Sequence, residues 1–303
     1  MVYIKKQVEE GRVYYLLVES KREEGKVVQT VLKRFSGANE TLEYCKRHKI
    51  KAPKIELIEG KLAEKLEKKL AKLNSLRPLP KQTIESLRKK FEVDMTYNSN
   101  AIEGNRLSFK ETYLVLERGL TIGGRSMKEH LEATNHKEAI SAMEEMAKQK
   151  RTIVEMDILN LHAVILDKIK PEWAGFYRDG PVAITLAKHR PPSHKEIPGR
   201  MQEIVKLLNK KDEGIKAIEA AAEIHHQLVY THPFWDGNGR LSRLLMNIKL
   251  MQAGFPPTIL RKKERISYYN TLEKADAGEM GPLTTMIAKD VERSLNLYLE
   301  TME

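Results

Sequence analysis

The stretch from His232 to Arg243 gathers several side chains that could act on a phosphate ester. Its sequence is His-Pro-Phe-Trp-Asp-Gly-Asn-Gly-Arg-Leu-Ser-Arg, and an apolar run follows at once. The apolar run predicts a helix, so the glycine-containing turn before it presents backbone N–H groups at the positive end of a helix dipole. Such a turn is a ready binding site for phosphate. Because His232 can accept a proton near neutral pH, the stretch predicts acid–base chemistry on a polyphosphate.

The charged residues of the stretch fit the same chemistry. Arg240 and Arg243 are three positions apart, so both lie on one face of the first helical turn, where their planar guanidinium groups suit phosphate oxygens. Asp236 supplies a hard oxygen ligand of the kind that Mg²⁺ takes when it bridges phosphates. Taken singly, a histidine before a helix is usually a cap and Gly-Asn-Gly is usually a plain turn. The combination in this order favours a phosphate site.

Composition narrows the class of protein. The chain has 303 residues, of which 41% are hydrophobic, enough for one large domain and a smaller one. Neither a spanning apolar run nor an apolar block after Met1 is present, so we expect no membrane association and no signal peptide. A single cysteine, Cys45, excludes an internal disulfide and fits a reducing compartment. These features predict a cytoplasmic protein.

The net charge of +11 is unevenly distributed. Residues 1–110 hold 25 Lys and Arg against 15 Asp and Glu, whereas residues 111–303 hold 28 against 27. The basic excess therefore belongs to the front of the chain and not to the part that carries the phosphate motif. Two interpretations stay open: this part binds nucleic acid or another acidic partner, or its lysines are simply solvated.

The pattern of apolar residues predicts a mainly α protein with a small β module in front. Val13–Val18 and Val27–Leu32 are β-prone, with Glu10-Gly11 and Glu24-Gly25 at turn positions, which predicts an antiparallel meander ending near Gly37. Helical spacing then predicts helices over residues 55–76, 82–102, 127–148, 156–168, 194–209, 215–230, 262–277 and 281–298, besides the motif helix that ends near Gly254.

One segment between the helices is different. Gly175, Gly180 and several prolines bracket the β-prone run Val182–Leu186. A strand here without an obvious sheet partner would be an exposed edge able to bind an extended peptide by strand addition. An ordinary surface hairpin is the alternative.

The motif from His232 to Arg243 matches the pattern His-Pro-Phe-x-(Asp/Glu)-Gly-Asn-Gly-Arg-x-x-Arg, so the sequence resembles the Fic family of protein adenylyltransferases. The resemblance covers most of residues 95–303. It implies a Fic-type helical bundle with a short β-hairpin flap. Together with the β-prone pattern at the front of the chain, it predicts three parts: a small β-rich module over residues 1–55, a helical linker carrying an inhibitory helix over 56–110, and a Fic catalytic domain over 111–303.

The resemblance implies a role for each matched position. His232 would take the proton from a Ser, Thr or Tyr hydroxyl of a target protein, which would attack the α-phosphorus of ATP and release pyrophosphate. Phosphate binding is implied for Asp236, Gly237, Asn238, Gly239, Arg240, Leu241, Ser242 and Arg243, with Asp236 also holding Mg²⁺. Adenine contacts are implied for Tyr268, Tyr269 and Asp276. Flap residues are Leu186, Ala187, Lys188 and His189.

The segment Ser99–Gly104 resembles the family's inhibitory pattern, (Ser/Thr)-x-x-x-Glu-(Gly/Asn). Within it Ser99, Glu103 and Gly104 are the matched positions. A carboxylate at Glu103 that pairs with Arg243 would withhold this arginine from the γ-phosphate, which predicts an autoinhibited enzyme.

Two other functions remain open. The same residues could hydrolyse AMP from a modified protein, with Glu103 orienting a water molecule. The basic N-terminal half could instead make the protein a regulator that binds nucleic acid, although it shows no zinc-finger or helix-turn-helix pattern. The target protein and a possible homodimer are not specified by the sequence.

Overall fold

The structure, a computed structural model, describes residues 2–9, 12–23, 26–35, 41, 44–45, 47–50, 57–149, 151–184 and 188–302. Three strands open the chain: β1 (Val2–Glu9), β2 (Arg12–Glu23) and β3 (Lys26–Phe35). They pair in the order β1-β2-β3, antiparallel throughout, with an irregularity in the β2–β3 register between Leu17 and Val18. The predicted meander is confirmed. A small core of its own contains Tyr15, Leu17 and Phe35.

Helices form the rest of the described chain. They are α1 (Gly60–Ser75), α2 (Lys81–Ile102), α3 (Phe109–Arg118), α4 (Met127–Lys148), α5 (Glu155–Leu166), α6 (Ile197–Asn209), α7 (Gly214–Thr231), α8 (Asn238–Gln252), α9 (Arg265–Asp276) and α10 (Met280–Met302). Nine of these ten correspond to predicted helices. The sequence prediction missed α3, although Ser108 and Glu111 form a capping box at its start. None of the helices that the structure describes combines the length and the apolar character of a bilayer-spanning segment.

Helix α8 is the centre of the bundle. Every residue from 240 to 250 is buried. Leu241, Leu244 and Ile248 pack in one hydrophobic cluster with residues of α4 to α7. Met246 and Leu250 pack in a second cluster, which also contains apolar residues of α1, α7 and α10. The amino end of α8, where the motif lies, is therefore held by the whole core.

Helices α1 and α2 share that core. Leu66, Leu70 and Leu73 of α1 pack in the second cluster together with Ile102 at the end of α2. Gly104 follows α2 with a φ of 101°, a left-handed conformation that glycine adopts without a steric penalty, and so ends the helix as predicted. The division of the chain at residues 55 and 110 stays a prediction.

The prediction of a strand over residues 182–186 is wrong for residues 182–184, which the structure describes. Val182, Ala183 and Ile184 belong to a loop and pair with no strand of the described chain, while residues 185 and 186 lie outside the described residues. A β-prone run needs a neighbouring strand to supply its ladder of hydrogen bonds. Pro181, directly before this run, has no N–H group to donate to such a ladder.

Candidate active site

The turn predicted to bind phosphate lies between α7 and α8. His232 caps the end of α7 in the left-handed conformation, with a φ of 47°, and its N–H donates to the Leu228 carbonyl at 2.9 Å. Gly237 precedes α8 with a φ of 79°. The first N–H groups of a helix have no acceptor within the helix, so this turn presents the amides of residues 238–240 as donors.

Buried contacts fix the shape of the turn. The Asn238 side chain accepts a hydrogen bond from the Phe234 N–H at 3.0 Å and donates one to the Phe234 carbonyl at 2.8 Å. Phe234 stacks on the imidazole of His162 with ring centroids 3.7 Å apart. His162 Nδ1 accepts from the Gly175 N–H at 3.0 Å, which leaves Nε2 to donate to the Asp236 carbonyl at 2.9 Å. Burial lowers the pKa of His162 to about 4, consistent with this neutral form.

One cavity of about 310 Å³ joins eight of the predicted site residues, a volume at the small end of ligand sites, but Asp236, Gly237, Arg240 and Arg243 do not line it. Its walls come from the end of α2, the flap, α7, the motif and α9. The lining residues are Glu103, Ile184, His189, Val229, His232, Asn238, Gly239, Arg265, Tyr268, Tyr269, Leu272, Glu273 and Asp276. The imidazole and the phosphate turn thus face the same space.

His232 has the properties of a proton acceptor. Burial lowers its pKa to about 4, and the positive charge of Arg178 acts in the same direction. At neutral pH the imidazole is therefore uncharged and can take a proton from a hydroxyl group.

The two arginines of the motif are buried with unused donors. Arg240 Nη2 lies 3.1 Å from the Asp236 carboxylate, and Arg243 Nε donates to the Ser99 hydroxyl at 2.8 Å. Arg240 Nε and Arg243 Nη1 contact no acceptor among the described residues. A buried guanidinium donor without an acceptor is costly unless a ligand satisfies it. These two atoms therefore favour an anionic ligand at the turn.

The predicted inhibitory contact is formed in the structure. Glu103 Oε1 accepts a hydrogen bond from Arg243 Nη2 at 2.7 Å, and the Ser99 carbonyl accepts another from the same nitrogen at 3.0 Å. Burial alone would lower the pKa of Arg243, but the Glu103 carboxylate raises it. A Cβ atom on Gly239 would collide with Glu103 Oε1, so the carboxylate lies directly over the first turn of α8.

The residues predicted to contact adenine line the cavity, but Asp276 is already engaged. Tyr268 is buried with its hydroxyl 2.8 Å from His225 Nε2, and the Tyr269 hydroxyl lies 3.3 Å from the Ile102 carbonyl. Asp276 Oδ1 is 2.9 Å from His226 Nε2, and its Oδ2 is 2.8 Å from Nδ1 of His189 in the flap. Each carboxylate oxygen of Asp276 therefore has an imidazole partner.

The described flap residues bind to α9. Lys188 Nζ lies 2.8 Å from Glu273 Oε2, next to the contact between His189 and Asp276. The His189 ring also stacks on Tyr230 of α7, with ring centroids 4.8 Å apart. The other two predicted flap residues, Leu186 and Ala187, lie outside the described residues.

The side chains of two predicted phosphate ligands do not line the cavity, and phosphate binding by these residues stays a prediction. Leu241 is fully buried in the hydrophobic core, and its N–H donates to the Gly237 carbonyl at 2.9 Å. Ser242 is also fully buried, and its hydroxyl donates to the Gly239 carbonyl at 2.8 Å. One residue along a helix is a rotation of about 100°, which turns these side chains away from the face that carries Arg240 and Arg243.

The sequence interpretation missed two residues that hold the site. His162 fixes the Asp236 carbonyl, and Arg178 donates to the His232 carbonyl at 2.8 Å. A histidine inside the apolar run 158–166 indicates a buried polar contact, because an imidazole there needs a partner. No pattern in the sequence indicates Arg178, whose partners are backbone carbonyls from 2 to 54 positions away in the sequence.

Comparisons with known proteins point to one family. A model of the Fic/DOC family matches residues 152–250. A relative from Nematostella vectensis, named protein adenylyltransferase Fic, is 35% identical over 82% of this chain and 58% of its own length. One of the same name from Aedes aegypti is 34% identical over 81% of this chain and 49% of its own. The chain thus spans about half the length of these curated relatives.

Solved structures extend the match. Fic-1 (residues 134–508) from C. elegans superposes with a TM-score of 0.71 at 32% identity, covering 80% of this chain and 72% of its own. A Fic domain containing signaling protein from Bacteroides thetaiotaomicron gives a TM-score of 0.72 at 27% identity, covering 78% of this chain and 96% of its own. The family model, the named relatives and the shared helical fold agree, and the chain belongs to the Fic/DOC family.

Proposed function

We propose that this protein is an autoinhibited protein adenylyltransferase, which transfers AMP from ATP to a hydroxyl group of a target protein. The observation that carries the proposal is the shared cavity, where a neutral imidazole faces a helix amino terminus and Glu103, whose carboxylate is bonded to Arg243. The names of the curated relatives support the same reaction.

The proposed reaction begins with a Ser, Thr or Tyr hydroxyl of the target. His232 takes the hydroxyl proton, and the oxygen attacks the α-phosphorus of ATP. A new phosphate ester forms, the bond between the α-phosphorus and its bridging oxygen breaks, and pyrophosphate leaves with the electron pair. The free N–H groups at the start of α8 stabilise the negative charge that develops on the phosphate oxygens. The adenine would lie between Tyr268, Tyr269 and the apolar wall of the cavity.

A magnesium ion fits the same proposal. Asp236 is the only carboxylate of the motif, is 35% exposed, and uses Oδ1 for the Gly237 N–H and for Arg240. Mg²⁺ typically binds ATP through its phosphates and one or two protein carboxylates, so a single accessible aspartate suits it. When bound, the ion would neutralise phosphate charge. The described residues contain no cluster of three or more metal-binding side chains.

Autoinhibition would arise because Glu103 occupies Arg243. Nη2 of this arginine is bound to Glu103 and to the Ser99 carbonyl, while Nη1 has no acceptor among the described residues. A triphosphate in its productive pose needs the guanidinium that the carboxylate now holds. ATP would then bind in a pose in which His232 cannot activate the attack.

The test uses the Glu103→Gly protein with ATP labelled at the α- or the γ-phosphate. The proposal expects label in protein from α-labelled ATP and none from γ-labelled ATP. The further change His232→Ala should abolish the label while ATP affinity and the melting temperature stay close to those of the single variant. Label from the γ-phosphate would identify a kinase instead, and label that survives His232→Ala would exclude His232 as the base.

The alternative functions predicted from the sequence can be tested separately. Incubation of wild-type protein with an adenylylated target, and measurement of AMP release, would separate hydrolysis from transfer. Three further properties stay predictions: a homodimer, a cytoplasmic location, and nucleic-acid binding by the basic N-terminal half of the chain. For nucleic-acid binding, the expected result is DNA affinity that falls steeply with salt.

A further inference from the structure

Arg178, at the start of the flap, is a buried cation that binds backbone carbonyls. It is 2% exposed. Its Nη1 donates to the Gly180 carbonyl at 2.6 Å, its Nη2 to the Pro192 carbonyl at 2.6 Å, and its Nε to the His232 carbonyl at 2.8 Å. No carboxylate of the described residues forms an ion pair with it. Burial of a guanidinium without a carboxylate partner costs free energy, which its hydrogen bonds to carbonyl groups must offset.

The carbonyls that Arg178 binds belong to separate parts of the site. Gly180 and Pro192 are the two ends of the flap, so one guanidinium closes this loop at its base. The third carbonyl belongs to His232. The backbone N–H of Arg178 also donates to the Pro233 carbonyl at 2.9 Å, directly after the imidazole-bearing residue. The planar fork of arginine spans these directions at once, which the single ammonium of lysine does not.

The backbone of His232 needs such support. Its φ of 47° lies in the left-handed region, which is unfavourable for a residue with a Cβ atom. The carbonyl of Leu228 holds the His232 N–H, and Arg178 holds the His232 carbonyl. The two contacts fix the peptide groups on both sides of its Cα atom and thereby the direction of its imidazole.

We propose that Arg178 is a positioning residue, which joins the flap to the proton acceptor and sets both the direction and the electrostatic environment of His232. This inference rests on the proposed adenylyl transfer. Arg178 would touch neither ATP nor the target and would act through the His232 backbone and the flap ends.

The charges around His232 make the electrostatic part testable. Burial is the largest influence on its pKa; Arg178 and His189 in the flap lower it further, while Glu103 raises it. Loss of the Arg178 charge should therefore move the pKa of His232 upward. A Lys side chain at the same position keeps the charge and loses the geometry, so two substitutions separate the two effects.

The experiment compares Arg178→Lys and Arg178→Gln in the Glu103→Gly protein. Misplacement by about 1 Å can cost about a hundredfold in rate, so we expect kcat to fall about tenfold to a hundredfold in both variants. The KM for ATP should stay within about threefold, because the contacts of Arg178 with the motif are to His232 and Pro233 and not to residues 236–243. The acid limb of the rate profile, and the NMR titration of His232, should move to higher pH in Arg178→Gln and stay in place in Arg178→Lys. Arg151→Lys is the matched control, since Arg151 is half exposed and pairs with Asp157; its rate should equal that of the parent.

A second measurement distinguishes the positioning role of Arg178 from a merely structural one. Added guanidinium should restore transfer to Arg178→Ala, whereas ethylammonium should not, because only the planar cation can bind several carbonyls. A kcat for Arg178→Lys equal to that of the parent, or an unshifted His232 titration in Arg178→Gln, would overturn the inference. If the Glu103→Gly parent transfers no AMP, the proposed function fails, whereas the His232 titration still tests Arg178.

Discussion

Glu103 and Arg243, 140 positions apart in the sequence, are joined by a hydrogen bond of 2.7 Å between their charged groups. Arg243 is 4% exposed at its side chain and Glu103 is 38% exposed, so solvent screens the pair from one side only. The pair brings the end of α2 onto the first turn of α8. In the proposed autoinhibition, the state of this contact decides whether Arg243 is available to a phosphate.

The first prediction concerns this pair. Glu103→Gly should raise the rate of AMP incorporation about fivefold to thirtyfold, which corresponds to about 1–2 kcal/mol for a charged hydrogen bond that is partly screened by solvent. Glu103→Gln should give a smaller increase, because the amide keeps an acceptor for Arg243 but loses the charge. The measurement is the initial rate with α-labelled ATP. An unchanged rate in Glu103→Gly would contradict autoinhibition.

The second prediction concerns stability against acid. Burial lowers the pKa of His136 and His225 to about 3, and that of His162 and His232 to about 4. Each unfolded histidine has a pKa of about 6.5, so below pH 6.5 the unfolded chain binds protons that the folded chain does not. The contribution of these histidines to stability is therefore fully present above about pH 6.5 and is lost as the pH falls toward their folded pKa values of about 4 and about 3. Each histidine contributes a slope of about 1.4 kcal/mol per pH unit. Asp290, whose pKa burial raises to about 6, partly offsets the slope below that pH.

Urea unfolding at several pH values between 5 and 7 measures this slope. His136→Gln should reduce it by about 1.4 kcal/mol per pH unit, because the glutamine does not titrate. A free energy of unfolding that stays constant over this range would show that the histidines are solvated or paired in a way that the structure does not have.

The third prediction concerns Gly237. Its φ of 79° suits glycine, and a Cβ atom would come 3.0 Å from His162 Nε2 and 3.3 Å from His162 Cδ2. That ring cannot move freely, since it stacks on Phe234. Gly237→Ala should therefore lower the free energy of unfolding by about 1–3 kcal/mol and reduce AMP transfer by distorting the turn.

Gly199→Ala is the matched control for Gly237→Ala. Gly199 lies inside α6, and an added Cβ atom would meet nothing within 4 Å. The same chemical change should leave activity unaltered and stabilise the protein by up to about 1 kcal/mol. Thermal unfolding and initial rates compare the two variants; equal melting temperatures would contradict the strain assigned to Gly237.

The fourth prediction separates two roles for Asp276. The sequence predicts a contact with adenine, whereas the structure shows the carboxylate bound to His189 and His226. If the flap orients the target, Asp276→Ala should raise the KM for the target protein about fivefold, in keeping with the loss of about 1 kcal/mol, and change the ATP affinity less than twofold. Calorimetric titration with ATP and initial rates over a range of target concentrations measure the two effects. A loss confined to ATP affinity would favour the adenine contact.

The local motif predicted most of the site, because its chemistry is contiguous in the sequence. Residue types and spacing predicted the positions of His232, of the turn at Gly237 and of the start of the helix, and the structure has them there. The long-range pair of Glu103 with Arg243 was predicted by family resemblance, since two residues on different helices carry no local sign of contact.

The errors have physical causes. Helix α3 was missed although Ser108 and Glu111 carry its capping box, because with 10 residues it is short. Leu241 was assigned to phosphate by position in a motif, whereas helical rotation turns it into the core. The contacts of Arg178 were beyond prediction because backbone carbonyls are present at every residue and do not distinguish one partner from another.

Helix α8 has no free surface between residues 240 and 250. A substitution there must repack the two clusters that meet on it, so mutations that tune the rate will rarely be tolerated on this helix. Substitutions that change the rate are then expected at side chains that reach the amino end of α8 from other elements, such as Glu103 from α2. Under the proposed function, substitutions around α8 can therefore change the rate of AMP transfer while the helix itself stays unchanged.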